Sequence, residues 1–595
     1  MAASTSSERT SRLTRLLVEQ GVLLAVVAFV VYLLLAPTTI VDGDNAEFST
    51  VGALGGRAHP SGYPAYVLYL RLLSWLPGST PAHTAALATC LLAALLVLVL
   101  HAACRAWGAR PLAATFATAI YAASPVVLRM HTEAEVFAGN GLVVATVLWL
   151  SAARGPLRGM RRNVALGLVA GLGLANHLTC ALIAPVGCLG AIRGVREETG
   201  SRRALAIAGA IGALAVGLAT YLYLYVADSP VSYGKVDDVH DLIAFFLRSD
   251  YGGPGAFVPT GVEVSAWDNL AAFVATLGRA WLYGPAIAGV AYLGYLVAKP
   301  RGETRWAWAL LAASWLVAGP LLVLRFNIPP KGLGIYVAQR FHLLPVLLLA
   351  IPIAAAFDRV GDARVKLDQL RSPKVATGLA LVGFLAMVAV ALPRLRAVHS
   401  PAMERGFVHM IRSLPEHALV IADSEDICFG LEYLQQARGE RPDIDVVCWI
   451  LTSRGWYRQR MRARGLVFTK QFSLEPTLEQ AQLFLDTKRP LFVDRSQKQL
   501  LASFPSYPYG LLVRLLPKGA PAPTLPEVVE LNRAIYAAFD LDYPRPGPDD
   551  DYATIAHKRY AATWVTLAEA LRAAGDEQGA QDAIAVARQL YPSAE

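Results

Sequence analysis

Charge is scarce in this sequence: Asp, Glu, Lys and Arg make up 17% of its 595 residues, 55% are hydrophobic, and the mean hydropathy is +0.42. So little charge over such a length excludes a wholly water-soluble chain and points to a polytopic membrane protein. Cysteine is scarce too. The six, at 90, 104, 180, 188, 428 and 448, include no CxxC pair and no metal-ligand spacing, so a cysteine-built metal site is not expected. No nucleic-acid-binding motif occurs. The net charge of +9 and pI near 9.2 arise largely from a few loop clusters, so they speak of membrane topology and anionic lipid rather than nucleic acid.

What the chain has instead is a series of apolar runs near the length that crosses a bilayer. They cover residues 16–36, 85–101, 112–127, 136–152, 204–226, 280–298, 306–324, 336–357 and 375–392. Residues 164–192 are long for one span and short for two, with Asn176 and His177 in the middle. Basic residues favour cytoplasmic loops. Here they group as Arg9/Arg12/Arg15, Arg105/Arg110, Arg154/Arg158/Arg161/Arg162, Arg193/Arg196/Arg202/Arg203, Lys299/Arg301/Arg305 and Arg359/Arg364/Lys366/Arg371/Lys374. All six groups fall on one side only if 164–192 is a helical hairpin turning at Asn176/His177, which gives about eleven spans with the N-terminus inside. The same parity places 41–82, 129–135, the hairpin turn, 227–269, 325–340 and everything after 392 outside. A signal peptide is the rival reading of residues 1–36, but the apolar core is long and no clear small-residue cleavage site precedes Asp42, so retention as a first span is expected.

After residue 392 apolar density falls and short apolar runs alternate with helical patterns. Strands are expected at 417–422, 444–450 and 490–493, and helices at 427–437 and 478–485. That pattern describes an extramembrane α/β domain. Residues 552–591 show helical spacing of Ala and Leu around AAGDEQGAQDA and resemble one tetratricopeptide-type helical pair, packed on the α/β domain rather than forming a peptide-binding array. The expected division is 1–392, 393–545 and 546–595. Cys428 and Cys448 in the outer domain form a candidate disulfide, and the other four cysteines read as packing residues.

Two segments carry candidate chemistry. IVDGDNAEF, with Asp44 and Glu47, follows the first apolar run, and HPSGYP begins at His59. Acids where a span leaves the bilayer suggest function. Helical periodicity would set Glu47 on the face of Asp44. DxxEF at 44–48 followed by HPSGYPAYVLYLRLLSWLP resembles the signature of multispanning GT-C glycosyltransferases of the protein O-mannosyltransferase type. Further matches occur in order: AEVFAGN at 134–140, GLGLANHLT at 171–179, FLRSDYG at 246–252, QRF at 339–341, and VIADSEDICFGLEYLQQARGERPDIDVV in the outer domain. Asn45-Ala46 stands where the family has a small residue plus Gly, and HPSGYP where it has HPPGYP; neither change removes a carboxylate.

The resemblance implies a GT-C-type membrane enzyme, multi-pass in a bacterial cytoplasmic membrane, that uses a polyprenyl-phosphate sugar donor. The implied acceptor is an exported protein or a glycan, with mannose and Ser or Thr suggested by the family's vertebrate branch. Asp44 would be the base for a single displacement. Glu47 would orient it or bind sugar hydroxyls, and Glu135 is the second acidic contributor. Arg248 and Arg340 would meet the leaving phosphate, with His59 and His177 as hydrogen-bond donors and Tyr63 and Tyr251 as donor-site aromatics. No cofactor is expected, and no further ligand cluster completes a divalent-metal site beside the two acids.

Plainer readings stand beside each role. Asp44 and Glu47 cap a helix, HPSGYP shapes a rigid turn, His177 is a satisfied turn histidine, and the arginines anchor at headgroups. A polyprenyl-linked glycan ligase or polymerase, a lipid or solute transporter, and a structural or sensory protein are the alternative functions. Transporters usually carry polar groups at mid-span, and these runs are nearly uncharged.

Overall fold

The computed structural model describes residues 20–251, 253, 264–299, 302–364, 373–469, 473, 475–546 and 551–594. Arg9, Arg12, Arg15, Arg301, Lys366 and Arg371, used above to orient the spans, lie outside the described residues, as does the start of the 16–36 run.

The first part of the chain is a polytopic helical membrane domain. Among the described residues, Pro81–Ala106, Leu178–Arg196, Arg202–Val226, Leu333–Arg359 and Lys374–Arg412 are each long and apolar enough to cross a bilayer, and counting two sharply bent helix pairs as spans brings the number to seven. Gln20–Leu35 and Phe137–Ser151 are shorter apolar helices.

Breaks in the spans have local causes. The 112–127 run is not one straight helix: Pro111–Ala123 and Pro125–Thr132 meet at 66°, because Pro125 lacks an N–H and holds Ser124 extended at φ −61, ψ 135. The 280–298 run is the second arm of a pair, Ala266–Ala280 and Gly284–Ala298, bent by 107° through Leu282 and Tyr283 at φ 55 and 57. Residues 164–192 do form a hairpin. Helix Gly159–Asn176 stops at an extended His177 (φ −162), and the chain resumes as a 3-10 turn, Leu178–Ile183, and helix Ala184–Arg196. The 41–82 and 227–269 connections between apolar runs contain helices Gly43–Leu54, Pro64–Leu72 and Val239–Phe246.

Among the described residues, the C-terminal α/β part is built on five strands: β1 Leu419–Ala422, β2 Asp445–Cys448, β3 Leu491–Val493, β4 Ser506–Tyr509 and β5 Leu512–Leu515. Their order is β2-β1-β3-β5-β4. β1 pairs in parallel with β2 and β3, whereas β5 is antiparallel to β3 and β4. β1 and β3 are buried throughout, as expected of central parallel strands covered on both faces. Cys428 and Cys448 form a disulfide, with Cα atoms 5.4 Å apart, between helix Glu425–Glu432 and the end of β2. Helices Tyr552–Ala573 and Glu577–Leu590 form the C-terminal pair. Their buried Trp564, Leu567, Ala583 and Ala587 belong to the same apolar cluster as the sheet.

Membrane and C-terminal parts meet along the Gly43–Leu54 helix. Ile40 and Ala46 are buried in the α/β part's own cluster, and the Ile40 N–H donates to Glu404 Oε2 at 2.9 Å. The DNAEF segment is therefore held at the seam between the two parts.

Candidate active site

Asp42 caps the helix that carries Asp44. Its carboxylate accepts from the Asn45 N–H at 2.8 Å, and Asp44 stands in the first turn, where the positive end of the helix dipole favours an anion. Arg340 reaches these acids from helix Leu333–Arg364. Its Nη2 donates to Asp42 Oδ2 at 2.7 Å, its Nη1 donates to Asp44 Oδ2, and Glu135 Oε1 lies 3.1 Å from Nη2. One guanidinium thus serves three carboxylates. The Asp42 and Glu135 side chains are each 1% exposed, whereas that of Asp44 is 28% exposed. Asp44 is the member of the cluster that presents an oxygen to solvent.

Burial opposes ionisation of Asp44, but Arg340, His59 and Arg248 together hold its carboxyl below the ordinary value. Glu135 goes the other way. Burial pushes its pKa well up, and the nearby Asp42 and Asp44 charges add to what Arg340 does not cancel. Two neighbouring acids with opposed shifts are the pattern that separates a base from a neutral hydrogen-bond donor.

HPSGYP is both a turn and a wall of the site. The Gly62 N–H closes the turn on the His59 carbonyl at 2.7 Å. Gly62 adopts φ 82, and a Cβ there would meet Leu224 and Phe245 at 3.0–3.1 Å, so glycine is required on both counts. The turn delivers His59 Nδ1 to 2.5 Å from Glu47 Oε2, while the His59 N–H donates to Glu47 Oε1 at 2.8 Å. Glu47 outweighs burial and raises the His59 pKa. On its other side His59 Nε2 lies 2.9 Å from the Tyr63 hydroxyl. Tyr63 stacks on His177 at 5.9 Å and 14°. His177 itself accepts from the Thr179 N–H at 3.3 Å as the cap of the 3-10 turn. Tyr63 at φ 44 and Arg248 at φ 55 hold left-handed backbone, a conformation costing roughly 1–3 kcal/mol for such residues and concentrated at functional sites.

A cavity of about 600 Å³ gathers these groups. Eight of the nine site residues expected from the sequence line it: Asp44, His59, Tyr63, Glu135, His177, Arg248, Tyr251 and Arg340. Glu47 does not line it. Although it lies one helical turn from Asp44, its carboxylate is turned to His59 and to a smaller cavity at the domain seam. The Arg248 guanidinium lies over the Tyr251 ring at 5.1 Å and makes no ion pair among the described residues. The two arginines are thus unequal among the described residues: Arg340 is engaged by acids, and Arg248 is not.

Sequence reasoning missed the apolar half of the wall, Phe137, Phe326 and Phe341. Phe137 and Phe341 stand inside AEVFAGN and QRF, but only polar members of those motifs received roles. Asp42 was also missed, although an Asp just before a helical run is an N-cap signal. Among the described residues, the one set of side chains spaced to share a cation is Asp238, His240 and Asp241, outside this cavity.

Fold and site together define a multi-pass helical membrane protein with an acid–guanidinium cluster at the seam with its C-terminal α/β part. Residues 44–201 match the family model described as "Protein O-mannosyl-transferase TMEM260 N-terminal domain", so the family resemblance carried by the sequence motifs is borne out. A curated relative, Protein O-mannosyl-transferase tmem260 of Dictyostelium discoideum, is 20% identical over 554 residues, covering 84% of this chain. The chain spans 66% of that relative's length, just under two thirds. Among solved structures, ArnT from Cupriavidus metallidurans bound to undecaprenyl phosphate shares the fold at a TM-score of 0.50 and 14% identity, over 84% of this chain and 99% of that one.

Proposed function

We propose that this protein is a membrane glycosyltransferase that moves a monosaccharide, mannose as the first candidate, from a polyprenyl-phosphate carrier to a hydroxyl acceptor, Ser or Thr of an exported protein or a glycan. The observation that carries the reading is one cavity, about 600 Å³, in which a partly exposed carboxylate, Asp44, shares the wall with a guanidinium, Arg248, that has no acid partner among the described residues. The undecaprenyl phosphate bound to ArnT supports the donor class, and the O-mannosyl-transferase name of the Dictyostelium relative supports the sugar and a protein acceptor.

In the reaction the acceptor oxygen attacks the anomeric carbon as its proton passes to Asp44. The bond from that carbon to the phosphate oxygen breaks, and the electron pair leaves with the polyprenyl phosphate, inverting the sugar. Charge growing on the phosphate is met by Arg248. Arg340, already shared among three acids, orients Asp44 and keeps it ionised. Neutral Glu135 is able to donate a hydrogen bond to sugar or phosphate, and Tyr63, Tyr251, His59 and His177 shape the donor site around them. Glu47 acts through His59.

We infer the topology read from the basic clusters: about eleven spans in a bacterial cytoplasmic membrane, N-terminus cytoplasmic and outer domain extracytoplasmic. The Cys428–Cys448 bond supports an oxidising compartment for that domain. The division at 392 and 545, with a tetratricopeptide-like final pair, belongs to the same reading.

The test is purified enzyme in lipid with a panel of polyprenyl-phosphate sugars, following release of polyprenyl phosphate. Turnover that Asp44→Asn abolishes, in a protein that remains folded, is expected. No turnover with any donor by folded enzyme overturns the proposal, and turnover only with oligosaccharide carriers moves it to a glycan ligase.

A further inference from the structure

We propose that the C-terminal helical pair is a positioning element of the active site, in which Asp551, Tyr552 and Arg559 brace the two walls between which Asp44 stands. Its dependence on the proposed function is confined to the kinetic arm of the test below.

The first wall is the helix that carries Arg340. Tyr336 lies four positions earlier on that helix and is 6% exposed. Its hydroxyl accepts from Arg394, which also reaches the buried Asp551 carboxylate at 3.4 Å. The Arg129 guanidinium lies 4.0 Å above the Tyr336 ring, and the Tyr552 ring packs against it at 6.3 Å. Asp551 is itself fixed as the cap of helix Tyr552–Ala573, accepting from the Thr554 N–H at 2.8 Å. Residues separated by more than two hundred positions therefore converge on the turn of helix just before Arg340.

The second wall is the helix that carries Asp44. Arg559, two turns along the same C-terminal helix, bonds Asp426 Oδ2 at 3.0 Å. Asp426 belongs to helix Glu425–Glu432, whose backbone lies against Gly43: a Cβ at Gly43 would come within 3.3 Å of Asp426 Cα. One helix thus touches the supports of both partners of the Arg340–Asp44 bond.

The arrangement has a physical purpose. Arg340 and Asp44 come from separate elements, and catalytic groups must be held within about 0.5 Å of productive geometry by supporting side chains. Excluding water from the back of the cluster also strengthens the interaction between the charges. The groups bearing on Asp44 are Arg340, His59 and Arg248 as attractors, Asp42 and Glu425 as like charges, and Glu135, Tyr63 and Tyr552 as neutral groups. Loosening Arg340 removes the first of the attractors and leaves the like charges.

The experiment uses the full chain in lipid and the variants Tyr552→Ala, Tyr552→Phe, Arg559→Ala and Arg559→Lys. Asp44 is labelled with a water-soluble carbodiimide across pH and the modified peptide is quantified by mass spectrometry, which reports its protonation whether or not the enzyme turns over. The two Ala variants are expected to shift the labelling midpoint upward by about one pH unit, while Phe, which keeps the ring, and Lys, which keeps the charge, stay near wild type. In transfer assays the Ala variants are expected to lose about tenfold in kcat with donor KM within about twofold. Unchanged midpoints in folded Ala variants overturn the inference, as does a Phe variant as impaired as Ala. If instead Asp44→Asn still transfers sugar, the reading of Asp44 as base fails while the labelling result stands on its own.

Discussion

Arg340 bonds Asp44 across 296 positions of sequence, and the same guanidinium bonds Asp42. The carboxylate that opens to the cavity is consequently pinned from behind by a cation that is itself neutralised by a second acid. Arg248, on the same cavity wall, has no acid partner among the described residues.

On the proposed mechanism, ionisation of Asp44 sets the acid side of the pH dependence. Its folded pKa is depressed, so the stabilisation from its ion pair is complete above the unfolded value and is lost as pH falls through the folded one. Transfer by the wild type is expected to hold through neutral pH and to fall only in acid, and Asp44→Asn is expected to lose about 10²–10⁴-fold in kcat at every pH. A pH–rate profile of kcat/KM checks both; an acid limb near neutrality would contradict the assignment.

On the proposed mechanism, removing the Arg248 guanidinium takes away the donor that would meet the leaving phosphate. Arg248→Ala is expected to lower kcat by about 10²–10³-fold, and Arg248→Lys to recover part of it, since an ammonium restores charge without the planar fork. Single-turnover release of polyprenyl phosphate measures the effect. Wild-type rates in Arg248→Ala would return the phosphate to Arg340.

Arg340→Ala, in contrast, is a stability variant as well as a catalytic one. It strands Asp42 and Asp44 beside Glu135 in a buried cluster, and breaking a buried pair in this way costs about 3–5 kcal/mol. Thermal unfolding in lipid should show a large drop in Tm relative to Arg248→Ala. Equal Tm values would mean the cluster is more hydrated than its burial indicates.

Glu432 offers a test at the seam. It lines the small cavity that also takes Glu47 and the Cys428–Cys448 bond, and burial pushes its pKa up from 4.5 to about 8. Because the folded pKa is raised, the unfolded chain ionises first, and stability falls as pH rises from 4.5 to about 8. Glu432→Gln is expected to lack that slope and to be more stable than wild type at pH near 8. Parallel slopes in wild type and variant would refute this.

The sequence by itself determined a great deal: the membrane class, an α/β fold after the last apolar run, the hairpin broken at His177, and eight residues that share one cavity. These were legible because each rests on a local signal, such as apolar run length, period, a Gly-Pro turn, or a polar residue where a span ends. β4 and β5 were missed, since SYPY has a proline and no aliphatic run, and LVRL is broken by Arg514, unlike the wholly apolar β1 and β3. Tertiary structure alone decided the division of labour. That Glu47 turns to His59, that Arg340 is engaged by acids, and that Tyr552 packs on Tyr336 all depend on packing between separate elements. A side chain's type fixes what chemistry it can do. Which partners desolvate and charge it is set by packing between helices that no local pattern encodes.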